Sequence, residues 1–149
     1  MQLGNRTPPH RTSGGQIADS LTERIIGAAM KVHRTLGPGF LESVYRRALL
    51  VELRKAGLRA DEERRIPVFY EGTLVGDFVA DLVVEGTVIL ELKAVETLHK
   101  AHEVQTVNYL TATGIELGLL LNFGSESLQF KRKYRHLLAT NPVNPVNPV

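Results

Sequence analysis

Residues 76–93 constrain this chain more than any other stretch, because two apolar, β-branched runs flank Glu85-Gly86-Thr87 and each carries a carboxylate, Asp81 in one and Glu91 in the other. The pattern predicts a β-hairpin. Residues two apart on a strand share a face, so Glu91 and Lys93 point one way while Leu90, Leu92 and Ala94 point the other. A three-residue loop pairs Val84 with Val88 and sets Asp81 directly opposite Glu91; a two-residue loop puts the two acids on opposite faces. Facing carboxylates repel and weaken a sheet unless positive charge lies between them. A hard divalent cation, which takes oxygen ligands and keeps several waters, is the natural candidate. The competing reading is ordinary charge on the wet face of an antiparallel hairpin.

Composition limits the chemistry. The chain has 149 residues, of which 43% are hydrophobic and 23% charged, as expected of one globular domain. It has no cysteine, which excludes disulfides, thiolate zinc sites, iron–sulfur clusters and a cysteine nucleophile, so any metal must use oxygen or imidazole ligands. No run approaches the roughly 18 apolar residues of a membrane span, and the N-terminus lacks a charged-then-apolar signal. Cytoplasmic residence without a membrane partner is therefore the expectation. A net charge of +2 does not single out nucleic acid. Local clusters could supply phosphate contacts if they fold onto one side: Lys131-Arg132-Lys133 with Arg135 and His136, Arg46-Arg47, Arg54-Lys55 and Arg64-Arg65. Taken one at a time, such clusters are usually solvated surface.

Along the chain, residues 1–15 read as a flexible lead-in, 16–138 as the folded domain, and 139–149, an Asn-Pro-Val repeat, as a disordered tail. Ser20-Leu21-Thr22-Glu23 has capping-box spacing, and Leu21, Ile25, Ala28, Ala29, Val32 and Leu36 continue at helical intervals until Gly37-Pro38. A second helix is expected over 41–56, with Val44, Ala48, Val51 and Leu41 on its buried side and Gly57 as its stop. Strands follow over 65–70, 74–84 and 87–94, then a helix over 97–113 and strands over 116–123 and 128–134. The order ααβββαββ implies an α/β fold in which a mixed central sheet is flanked by helices.

Two further polar groupings stand out. On the third helix His102, Gln105 and Tyr109 fall on one stripe, a candidate wall for the hairpin site. At the start of the second, Gly39 permits a tight turn, and Glu42 and Tyr45 lie one helical turn apart. Glu42 either complements the helix dipole or reaches over the sheet as another acidic ligand.

These residues carry a resemblance. Gly39-x-x-Glu42-x-x-Tyr45 matches the signature of the GxxExxY proteins, and Asp81, Glu91-Leu92-Lys93 and Gln105-x-x-x-Tyr109 resemble the remaining motifs of the PD-(D/E)XK nuclease superfamily. The resemblance spans about residues 20–137, and Ala80-Asp81 stands where the proline-aspartate dipeptide is usual. It implies a restriction-endonuclease-like core with a four-stranded mixed sheet. It also implies that Asp81, Glu91 and the Leu92 carbonyl bind Mg²⁺ or Mn²⁺, with Glu42 as a further ligand or water holder. Lys93 would orient or activate the attacking water. Gln105 and Tyr109 would position the DNA backbone or the metal-bound water, and Tyr45 and His102 are candidates for further substrate contacts.

Phosphodiester hydrolysis needs a nucleophilic water, neutralisation of charge on the phosphate and stabilisation of a leaving oxygen, all within reach of oxygen-ligated divalent ions. Lys93, flanked by two carboxylates, suits a donor that orients hydroxide or phosphate better than a free general base. The leading expectation is a metal-dependent nuclease acting on DNA; a homodimer would let so small an enzyme cut both strands. Its rivals are a catalytically quiet nucleic-acid-binding or partner-binding module on the same fold, and a structural subunit whose carboxylates pair with arginines.

Overall fold

Three helices and five strands follow one another in the expected order in a computed structural model that describes residues 13–135, with side chains from Asp19 onward. The first twelve residues, His136 and the Asn-Pro-Val repeat lie outside the described residues. The elements are α1 (Ser13–Leu36), α2 (Glu42–Lys55), β1 (Ala60–Tyr70), β2 (Thr73–Val84), β3 (Val88–Lys93), α3 (Lys100–Thr113), β4 (Leu117–Asn122) and β5 (Gln129–Tyr134). The strands form one mixed sheet in the order β1-β2-β3-β4-β5. Only β3 and β4 run parallel, and α3 makes the crossover that a parallel pair requires. The sheet thus has all five expected strands, one more than the four-stranded core that the resemblance implies.

Strand alternation sends side chains to two unequal layers. Leu82 and Val84 of β2, Leu90 and Leu92 of β3, and Leu119 and Leu121 of β4 pack with Ile25, Ala29, Leu49 and Leu53 of α1 and α2. The opposite face holds a smaller cluster of Ile66, Ala80, Val83, Ile89, Tyr109 and Leu110 beneath α3. There α3 settles close to β4 because Gly118 has no side chain: a Cβ would stand 3.0 Å from the Thr106 methyl and 3.4 Å from Leu110. Each fully buried Leu or Ile contributes about 1.5–3 kcal/mol, so most of the stabilisation lies on the α1/α2 side. The thinner α3 side leaves room for polar groups.

Three local expectations change. Helix α1 begins at Ser13, so Ser20 and Glu23 sit inside it rather than at a cap, and the Thr22 hydroxyl donates to the Asp19 carbonyl at 2.9 Å. In α2 the buried stripe is Tyr45, Leu49, Leu50 and Leu53, whereas Leu41, Val44 and Val51 are exposed. Both stripes are apolar at helical spacing, and the one with Tyr and Leu removes more apolar surface from water than one of Val and Ala. Strand β1 starts at Ala60, five residues earlier than expected, because its acidic beginning is an edge that tolerates charge. No helix among the described residues is long and apolar enough to cross a membrane.

Candidate functional site

The turn between β2 and β3 decides whether the two acids meet. Val84 pairs with Val88, leaving Glu85, Gly86 and Thr87 as the loop. Glu85 and Gly86 both take positive φ, 54° and 65°. For Glu85 that conformation is unfavourable, and two hydrogen bonds to Arg59 offset it: the Glu85 amide donates to the Arg59 carbonyl at 2.8 Å, and the Arg59 amide donates to Glu85 Oε1 at 2.7 Å. The three-residue register that leads Asp81 towards Glu91 is therefore held by the residue that enters β1.

Regular pairing stops where the acids begin. The β2–β3 register runs from Val84 and Val88 to Leu82 and Leu90, and the next step would be Asp81 with Glu91. There side chains replace ladder bonds: the Leu92 amide donates to Asp81 Oδ2 at 2.7 Å, and the Asp81 amide donates to Glu91 Oε1 at 3.3 Å. On the other side of β2, Glu63 of β1 has φ 49° and no cross-strand partner, although Glu62 and Arg64 pair with Leu82 and Ala80. Ala80 packs on the α3 side together with Val83, which strict alternation forbids, so β2 rolls over at Asp81.

Desolvation dominates the electrostatics. Glu91 is 4% exposed. Burial, followed by the Asp81 charge, pushes its carboxyl up to about 8. Burial also raises Asp81, against the opposing Leu92 amide. No lysine or arginine forms a direct ion pair with either acid among the described residues; Lys93 influences both without touching them. A buried pair of like-charged carboxylates without a contacting lysine or arginine is costly to ionise, and an added cation would lower that cost.

The remaining expected residues divide clearly. Glu42 opens α2, is exposed, and adds its negative charge to the environment of Asp81, Glu91 and His102. Even so, no three His, Asp or Glu side chains among the described residues form a group of metal-holding geometry. Tyr109 lies on α3 at the site; burial and the charges of Glu91 and Asp81 hold its phenol above the ordinary value. Gln105 is half-buried on the same helix and makes no side-chain hydrogen bond among the described residues. His102 accepts the His99 amide at Nδ1, 3.2 Å. Burial and the Lys93 charge lower its pKa, so Nε2 carries the proton and is a donor.

Tyr45 differs from expectation. It is fully buried, its ring stacked on Phe123 at 4.7 Å, and its hydroxyl donates to the Gly37 carbonyl at 2.5 Å and accepts the Phe40 amide at 3.1 Å. Rather than contact substrate, it braces the loop that carries Gly39, whose φ of 116° suits glycine. The brace fixes the point from which Glu42 projects. The Gly-x-x-Glu-x-x-Tyr spacing thus acquires a mechanical meaning.

Acids meet part of each basic cluster and leave Arg47, Arg54, Arg64 and Arg132 without an acidic partner among the described residues. Arg46 meets Glu63 at 3.1 Å, Lys131 and Lys133 meet Glu103 at 3.2 and 2.9 Å, and Arg65 pairs with Asp77 and Arg135 with Glu116. Asn122 was not anticipated. It is completely buried; its Oδ1 accepts the Val95 and Gly124 amides at 3.0 and 3.1 Å, and its Nδ2 donates to the Val95 carbonyl and Gln129 at 2.8 and 2.9 Å. With the Phe123 amide on the Lys93 carbonyl at 2.8 Å, it anchors the strand end that bears Lys93. An asparagine ending an otherwise apolar strand was the available signal.

No curated protein and no solved structure matches the chain. A family model described as the PD-(D/E)XK nuclease superfamily matches residues 19–133, which takes in both carboxylates, the lysine and helix α3. With a mixed sheet carrying that acid pair between helical layers, the chain belongs to the PD-(D/E)XK nuclease superfamily.

Proposed function

We propose that the chain is a divalent-metal-dependent nuclease that hydrolyses DNA phosphodiester bonds at Asp81, Glu91 and Lys93, and that within its superfamily it groups with the GxxExxY proteins. One observation carries the reading: two neighbouring carboxylates are desolvated, one of them lifted to about 8, with no lysine or arginine in contact among the described residues. A hydrophobic sheet gains nothing from that arrangement, and a hard cation removes its cost.

Asp81, Glu91 and the Leu92 carbonyl would offer the oxygen donors that Mg²⁺ or Mn²⁺ takes, with Glu42, whose charge reaches both acids, as a further ligand or water holder. The cation would supply a Lewis acid for the phosphate oxygen and acidify a water. Lys93, on the same strand face as Glu91, orients the nucleophile or a phosphate oxygen. His102 Nε2–H, Gln105 and Tyr109 line the α3 wall and donate to the substrate backbone. A quiet binding module is the rival, favoured by the convergence of only two acidic side chains among the described residues.

Labelled single- and double-stranded DNA incubated with Mg²⁺ or Mn²⁺ separates the readings. Cleavage that needs metal and falls at least about 100-fold in Asp81→Asn and Lys93→Gln is the expected result. Wild type that binds Mn²⁺ and DNA but cuts neither favours the quiet module; variants that cut normally remove the assigned centre.

A further inference from the structure

Beyond Asp81, β2 and β1 leave the sheet as a two-stranded ribbon, since β2 pairs with β3 only over Leu82, Val83 and Val84 but with β1 as far as Thr73. On the α3 side of this ribbon, three residues before Asp81, stands Phe78. Its ring is held from several directions. It lies over Gly76, where an added Cβ would come within 3.0 Å of it; it stands 5.6 Å from the Tyr109 ring; and its cross-strand partner Ile66 is buried. Yet Phe78 remains 43% exposed. A fixed aromatic ring so open to water, touching a residue of the site, is unusual for a core side chain.

Arg64 completes the picture. It pairs with Ala80, next to Asp81, and alternation puts it on the face of Ile66 and Phe78. Unlike its neighbour Arg65, which Asp77 neutralises, Arg64 is exposed and makes no ion pair or side-chain hydrogen bond among the described residues. The α3-side face therefore presents, in sequence, the acid pair, a free guanidinium and an exposed ring, with the ring ~10 Å along the strand from Asp81.

We propose that Phe78 is a stacking platform for an unpaired base beside the scissile phosphate and that Arg64 holds an adjacent phosphate, so that the site takes single-stranded or frayed DNA rather than an intact duplex. This rests on the nuclease reading. A ring can stack only on a base already out of its own stack, which a single strand offers and a closed duplex does not. The ribbon's local charge is balanced, Arg64 and Arg65 against Glu71 and Asp77. Affinity here would therefore come from stacking and one cation, not from a broad basic surface.

The test measures fluorescence anisotropy of a short labelled single strand and of a blunt duplex with Ca²⁺ in place of Mg²⁺, and in parallel Mn²⁺-dependent cleavage of both. Wild type should prefer the single strand; Phe78→Ala should lose about 5- to 100-fold in single-strand affinity. Phe78→Tyr should retain it, Phe78→Leu should fold yet fail to restore it, and Arg64→Gln should flatten the salt dependence. Equal single-strand binding by Phe78→Leu and wild type, or equal wild-type affinity for both DNAs, overturns the platform while leaving nuclease activity standing. A change only in sedimentation behaviour assigns Phe78 to a contact between copies and also overturns it. If wild type neither binds nor cuts either DNA, the platform and the nuclease reading fall together.

Discussion

Replacing Glu91 by glutamine should make the metal-free protein more stable at alkaline pH, an unusual outcome for a residue at a candidate active site. In the folded chain burial and Asp81 move the Glu91 carboxyl from 4.5 to about 8. Between those values the folded state holds a proton that the unfolded state releases, so stability falls as pH rises from 4.5 and levels off above about 8. At about 1.4 kcal/mol per tenfold change in affinity, the full span is worth roughly 4–5 kcal/mol, a large part of the 5–15 kcal/mol typical of a domain. Asp81, shifted in the same direction, steepens the fall. Glutamine keeps the shape and can still accept the Asp81 amide, but never ionises. Urea unfolding in EDTA from pH 5 to pH 9 should show wild type losing several kcal/mol relative to Glu91→Gln. Mn²⁺ should restore wild type and leave the variant unchanged. Parallel pH profiles for the two proteins would refute the desolvated-carboxylate argument, and Mn²⁺ stabilisation of both would refute the ligand assignment.

Two structural predictions accompany it. Asn122→Ala removes four hydrogen bonds made by a fully buried side chain and strands the Val95 amide and carbonyl; chemical denaturation should show a loss of about 3 kcal/mol, and a loss under about 1 kcal/mol would mean that water replaces the amide. Tyr45→Phe deletes the hydroxyl shared by Gly37 and Phe40 while keeping the stack on Phe123. It should cost about 1–2 kcal/mol in the same assay without unfolding the chain, and an unchanged midpoint would remove the brace from the account.

Much of the site was legible because it rests on short-range pattern. Strand parity faced Asp81 with Glu91 on the condition of a three-residue turn, which the Val84–Val88 pairing meets, and helical spacing was enough to put His102, Gln105 and Tyr109 near one another. Reading failed where two patterns were equally regular. In α2 the Val44/Ala48/Val51 stripe and the Tyr45/Leu49/Leu53 stripe both have helical periodicity, and only the larger apolar area waiting under α1 and the sheet chose between them. Tyr45 moved from the substrate to the core with that choice.

The sequence by itself determined the order of elements, the apolar hairpin and the placement of two acids and a lysine upon it, because periodicities of two and 3.6 residues and the turn preferences of glycine are local properties. Tertiary structure decided the rest. Arg59 stabilised the turn that sets the register, acids distant in sequence claimed Arg46, Lys131 and Lys133 among the basic residues, and the sheet buried Glu91 deeply enough to hold its proton. It also left Phe78 in the open beside Arg64. Charge state, exposure and ion pairing depend on what lies opposite in space, and no reading along the chain contains that distance.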